Sequence, residues 1–289
     1  MRLSDNIGNT PLIKISEKIY AKAELLNPTG SIKDRMASNI INNAFNMSYI
    51  SKGDTIVEAT SGNAGISFAW LAAERGLNCV IVMPSNMSDE RKKMLRFYGA
   101  ELIEVSAGNF DGAIEIRNEL SIKNGWFNTN QFHNQLNIEA HYNGTGIEIL
   151  KDLGGLELSA LVSGTGTGGT LMGTQKRLKE KYPNMHVVAV EPSESPVMSG
   201  GTPGLHGIQG IGDGSKFLVD LGLVNEIITI STEDATQRAL KLSKELGIFV
   251  GVSAGANILA SEIYVDKFKP EGVVVTFLCD RGERYLSCF

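Results

Sequence analysis

Cysteine is scarce in this sequence. Three occur in 289 residues, Cys79, Cys279 and Cys288. An odd count without a C-x-x-C pair gives no disulfide framework and points to reduced thiols in the cytoplasm. Cys79, inside the apolar run Asn78–Pro84, reads as packing. Histidine is scarce too. His133, His141, His186 and His206 show no zinc-ligand spacing, so no metal is expected. Long apolar runs are missing. The N-terminus MRLSDNIGNTPLIKI lacks the apolar core of a signal peptide, and no stretch of about twenty apolar residues suggests a membrane span. There is no basic run or aromatic–basic stripe, and the formal net charge is −5, which argues against a nucleic-acid partner. A small anionic ligand must then be held by local geometry, because the global field is mildly repulsive.

What is present is an ordinary globular balance, 42% hydrophobic and 20% charged, long enough for one large or two medium domains. Strand-like runs alternate with helical patterns. Thr55–Ala59 precedes a helix over Gly65–Arg75, Cys79–Met83 precedes Asp89–Tyr98, and Glu101–Val105 precedes Asp111–Lys123. Trp126–Asn128 precedes a helix over Ile138–Leu150, and Ala160–Ser163 precedes Thr170–Lys181. Val187–Val190, Glu226–Ile230, Phe249–Val252 and Val273–Leu278 complete the expected strands. The alternation predicts an α/β fold with a largely parallel sheet. Three strand-to-helix junctions are rich in Gly, Ser, Thr and Asn: Thr60–Asn63, Ser163–Thr170 and Gly251–Gly255. Each would expose backbone N–H groups at the positive end of a helix. Any one of them reads as simple turn chemistry, but three together favour an anionic ligand.

Gly164-Thr-Gly-Thr-Gly-Gly-Thr170 is the strongest anion signal, since dense glycine lets the backbone wrap a phosphate. The same stretch matches G-x-G-x-x-G, and Glu191 follows where a dinucleotide fold places its ribose-binding acid. An NAD-dependent dehydrogenase is therefore a competing reading, although it leaves Lys33 and Asn63 without a task. The segment Asn27–Arg35 reads as a turn followed by a helix. Ser31 is the expected N-cap and Asp34 the partner in a capping box. Lys33 then falls in the first helical turn, where the dipole favours the neutral amine that a Schiff base needs. The ordinary alternative is a solvated lysine paired with Asp34 or Glu24.

Ile7–Leu12, Asn27–Arg35, Thr60–Gly65, Gly166–Thr170, Gly207–Gly212, Gly251–Gly255 and Gly282–Ser287 occur in an order that resembles the cysteine synthases (O-acetylserine sulfhydrylases) and the related cystathionine β-synthases. These are fold-type II pyridoxal 5′-phosphate (PLP) enzymes, similar in fold to the tryptophan synthase β chain. The resemblance covers essentially the whole chain. It implies two three-layer α/β domains with PLP in the cleft between them. Residues 27–135 would form a smaller, mobile domain, and residues 1–26 with 136–289 the larger one. It implies that Lys33 is the catalytic lysine carrying PLP, that Gly166, Thr167, Gly168, Gly169 and Thr170 hold its phosphate, and that Asn63 and Ser253 contact its ring. It also implies that Thr60, Ser61, Asn63 and Gln131 receive the substrate carboxylate. A neutral Ser253 at the ring nitrogen favours β-elimination over transamination. The implied reaction makes L-cysteine from O-acetyl-L-serine and sulfide, in a homodimer that serine acetyltransferase could dock on.

The chain departs from the family pattern at several positions. Ala64 stands where a threonine is usual, Asp213 follows the Gly210-Ile-Gly212 turn, and Cys279 opens a segment resembling the B-type synthases. These three are the candidate specificity residues. The segment between Pro192 and Gly207 is short. Alternatives on the same scaffold are cystathionine synthesis, hydrolysis of cysteine to serine and sulfide, use of O-phosphoserine or thiosulfate, and a serine or threonine dehydratase. A regulatory homologue without activity is disfavoured by the presence of Lys33, Asn63 and Ser253.

Overall fold

Alternating strand-forming and helical runs become alternating strands and helices in the computed structural model, which describes residues 1–60 and 62–288. Ser61, an expected carboxylate contact, lies outside the described residues. In chain order the elements are β1 (Leu12–Lys14), β2 (Ile19–Lys22), α1 (Lys33–Asn46), β3 (Thr55–Ala59), α2 (Asn63–Arg75), β4 (Asn78–Pro84), α3 (Asp89–Phe97), β5 (Glu101–Val105), α4 (Phe110–Asn124) and β6 (Phe127–Asn128). They continue with α5 (Gln135–Ala140), α6 (Gly146–Asp152), β7 (Leu158–Gly164), α7 (Gly169–Leu178), β8 (His186–Pro192), β9 (Glu226–Ile230), α8 (Thr232–Leu246), α9 (Val252–Phe268) and β10 (Val273–Phe277).

The chain divides into two compact units, one of Met1–Ile7 with Lys33–Asn137, the other of Gly8–Ile32 with Ile138–Phe289. Residues 1–7 thus join the first unit and residues 27–32 the second, on the opposite sides of the division from those expected. The first unit holds a four-stranded parallel sheet, β5-β4-β3-β6. Its strands are buried on both faces, and alternate residues feed alternate cores. Cys79, Ile81 and Met83 of β4 enter one apolar cluster with α1 and α2, while Val80 and Val82 enter another beside α4. The second unit holds six strands, β1-β2-β10-β7-β8-β9, parallel except for the β1–β2 pair. The same alternation sends Val188 and Val190 of β8 to one face, and Val187 and Ala189 to the other.

Three expectations need correction. Phe249–Val252 is not a strand. Only Val250 pairs, in an isolated bridge to Arg281, because α9 already begins at Val252. The expected helix over Ile138–Leu150 is broken into α5 and α6 by a π-helical turn at His141–Thr145. Gly173 of α7 packs there so closely that a side-chain carbon would lie 2.8 Å from the His141 Cβ. Finally, α1 starts at Lys33 and not directly after Ser31, whose backbone bridges to Asp280. No helix among the described residues is long and apolar enough to cross a membrane.

Candidate active site

In the first unit the carboxyl end of β3 runs through Thr60 and Gly62 into α2. Thr60 is buried, its N–H donates to Val82 O at 3.1 Å, and its hydroxyl accepts from the Gly62 N–H at 3.2 Å. Asn63 is the first residue of α2, half-buried at the positive end of a 13-residue helix. A side-chain carbon on Gly62 would meet the guanidinium of buried Arg91 at 3.2 Å, so a cation stands behind this loop. Gln131 reaches the same place from the segment after β6, and its side-chain amide donates to Ala59 O at 3.3 Å. The structure thus brings Thr60 and Gln131 to one strand end, with Asn63 opening the helix that follows.

Lys33 is the first residue of α1 and half-buried. The next residue, Asp34, accepts the Ser67 hydroxyl at 2.6 Å, and that hydroxyl also lies 3.1 Å from Asn63 O. The first turns of α1 and α2 are therefore tied together, which fixes the backbone that carries Lys33 against the backbone that carries Asn63. Ala64 is 2% exposed and packs in the apolar cluster around Ile66 and Phe68, so its methyl group contributes to the core. Cys79 is buried, and burial, followed by the charge of Glu58, pushes its thiol far above the ordinary range. It is no nucleophile.

In the second unit β7 ends at Gly164, and Thr165–Gly168 leads into α7. The loop is strapped on three sides. Thr165 N–H donates to Val190 O (3.1 Å), Gly212 N–H to Thr165 O (2.9 Å), and Leu218 N–H to Thr167 O (3.1 Å). Gly166 has no room for a side chain: a Cβ would lie 2.6 Å from Gly210 O. Gly168 has φ 88°, and a Cβ there would lie 2.6 Å from Val219 Cγ2. Such a loop at the N-terminus of a helix fits the phosphate of PLP, which needs close backbone approach and free N–H donors. Thr170, half-buried in the first turn of α7, is held by buried His141, whose Nε2 lies 3.2 Å from its hydroxyl and whose Nδ1 lies 2.9 Å from Thr145 Oγ1. His141 carries no signal in the sequence. The π-helical turn brings it into place.

Ser253 is the second residue of α9, 4% exposed. One turn on, buried Asn257 accepts from Gly164 N–H at 2.6 Å and donates to Phe277 O at 3.0 Å and to the Cys279 sulfur at 3.3 Å. It locks the helix bearing Ser253 to the ends of β7 and β10. Cys279 is half-buried and engaged in that network. Asp213 is half-buried beside the glycine-rich loop, with Oδ2 3.2 Å from where a Gly166 Cβ would stand. Glu191 is occupied otherwise than the dinucleotide reading requires. Its carboxylate accepts from the N–H groups of Met198 (2.7 Å) and Ser199 (2.9 Å) and from the Ser199 hydroxyl (2.6 Å), so it closes a turn.

The candidate residues follow carboxyl ends of strands or open helices, where ligands bind in open α/β sheets. Two surface hollows of about 420 and 590 Å³ open at the other ends of the strands and hold none of them. Among the described residues no cluster of His, Cys, Asp and Glu is arranged to hold a metal.

Known proteins are similar to this chain in sequence and in fold. The family model of pyridoxal-phosphate dependent enzymes matches residues 3–280. Cysteine synthase B of Campylobacter jejuni is 44% identical, over 99% of this chain and 97% of that protein. O-ureido-L-serine synthase of Streptomyces lavendulae is 39% identical, over 99% and 90%. The crystal structure of a hydrogen sulfide-producing enzyme from Fusobacterium nucleatum superposes with a TM-score of 0.94 at 40% identity, covering 99% of both chains. With its parallel sheets and glycine cradle, the chain belongs to the pyridoxal-phosphate dependent enzymes, among the cysteine synthase-like members of fold type II.

Proposed function

We propose that the chain is a cysteine synthase, replacing the acetate of O-acetyl-L-serine with sulfide to give L-cysteine. The observation that carries this reading is the glycine loop at Gly166 and Gly168, closed to side chains and leading into the N-terminus of α7. Bound there, PLP supplies the electron sink that makes the substrate α-proton acidic. Lys33 provides the amine that holds the cofactor and, once released by the incoming substrate, takes the α-proton. Thr60, Ser61, Asn63 and Gln131 receive the substrate carboxylate, and the start of α2 lends them positive potential. Acetate leaves the β-carbon, hydrosulfide bonds to it, and the Lys33 ammonium returns the proton to the α-carbon. Thr167 and Thr170 add hydroxyl donors to the backbone cradle, and Ser253 offers the ring nitrogen a neutral partner. Borohydride reduction of the holoenzyme followed by peptide mapping should label Lys33, and Lys33→Ala should abolish cysteine formation. Label on another lysine would refute the assignment.

A second reading is favoured by Asp213, whose carboxylate lies beside Gly166. A negative group near the β-carbon would repel hydrosulfide and could accept a proton from water as the water oxygen bonds to that carbon. The net reaction is then cysteine and water to serine and hydrogen sulfide, and the similarity to a hydrogen sulfide-producing enzyme supports it. In this reading Asp213→Ala lowers sulfide release from cysteine while cysteine formation holds or rises. Parallel changes would leave only the first reading.

A further inference from the structure

Glu58, the last residue but one of β3, is 1% exposed. A carboxylate buried so deeply is costly unless its lone pairs are met. All are met. Oε1 accepts from Arg117 Nη1 at 2.9 Å and from the Ala59 N–H at 2.8 Å. Oε2 accepts from the Thr129 hydroxyl at 2.6 Å and from the Gln131 N–H at 3.0 Å. Arg117, carried by α4 and also 1% exposed, makes the pair neutral. Buried ion pairs contribute little net stability compared with apolar side chains of equal volume, so stability alone does not account for this one. Its geometry joins pieces. Ala59 leads directly into Thr60, and the other carboxylate oxygen holds Gln131 together with Thr129. Asn137 completes the arrangement by donating to Gln131 O at 3.0 Å.

We infer that Glu58, backed by Arg117, is the positioning device of the substrate-carboxylate subsite, fixing Gln131 in register with the Thr60–Asn63 loop. Arg117 cancels a charge that would otherwise repel the substrate carboxylate two residues along the chain. The inference rests on the proposed carboxylate role of Thr60, Asn63 and Gln131. A glutamine at position 58 offers a single acceptor oxygen to donors on both sides and leaves Arg117 buried without its counter-charge.

The test titrates holoenzyme with L-serine and with ethanolamine, which keeps the amine and hydroxyl but has no carboxylate, and follows the cofactor absorbance. Glu58→Gln should weaken L-serine binding by about tenfold or more, the worth of one charge-assisted hydrogen bond, and leave ethanolamine binding within about twofold. In turnover the same variant should raise KM for O-acetyl-L-serine while kcat holds. Equal weakening of both ligands, or of neither, overturns the inference. Gln131→Ala separates this from the reading beneath it. If that variant binds L-serine normally, the carboxylate subsite itself is misassigned. If it weakens L-serine and Glu58→Gln does not, only the positioning role fails. Should Glu58→Gln not fold, Thr129→Val removes one donor at nearly constant volume. It should weaken L-serine about threefold with ethanolamine unchanged, and an unchanged L-serine affinity there overturns the inference as well.

Discussion

Gly168 holds a φ of 88°, a conformation that costs a residue with a side chain about 1–2 kcal/mol. Its backbone also abuts Val219, so a methyl group would collide with both Val219 Cγ2 and Val219 N, at 2.6 and 2.9 Å. Either the loop or the Leu218–Val219 segment must then move, and the loop is the proposed phosphate cradle. Gly168→Ala should therefore weaken cofactor retention by at least about tenfold, measured by dialysis and loss of the cofactor absorbance, with the far-ultraviolet spectrum unchanged. Retention equal to wild type would show that the phosphate does not depend on this backbone.

Elements owe their fixed places to buried polar side chains as much as to apolar faces. Asn257 is the case in point: α9 is bolted to β7 and β10 through its amide. Asn257→Ala leaves the Gly164 N–H and the Phe277 carbonyl with lost partners, at about 1–3 kcal/mol each. The variant should melt about 5 °C or more below wild type, and a melting point within about 1 °C would refute the bolt. β3 and β9 were read at their observed bounds because β-branched residues dominate them, and β5 because its apolar residues form a short run. The glycine-rich turn between β7 and α7 was legible because dense glycine marks a strand-to-helix turn with no room for side chains. β2 was not, since its Lys22 reads as solvent-facing, yet its amine is wholly buried between Glu148 and Asp152. Glu58 and Arg117 were illegible for a related reason. A charge inside an apolar strand carries no mark of its partner, which lies on another element and far away in the chain. Phe249–Val252 was misread because an apolar run of four suits a buried helix start as well as a strand.

Over the whole molecule, acids outnumber bases by five, 32 to 27, and the proposed second substrate is an anion. Mild repulsion of hydrosulfide should be relieved by salt, so kcat/KM for sulfide should rise by about twofold or less between low and physiological ionic strength. A steep fall with salt would mean instead that a local positive field steers the anion in. The order of the strands has a consequence in time. Ile19 of β2 pairs with Val274 of β10, so the six-stranded sheet joins the two ends of the chain. The four-stranded sheet is complete within Lys33–Asn137. On the ribosome, β2 is made before the Lys33 unit and waits unpaired, while every strand of that unit is made before β10. The sheet beneath the glycine cradle closes only when residues 273–277 appear. Each newborn chain has therefore made the whole sheet of the Lys33 unit before the sheet that carries the glycine-rich loop can close.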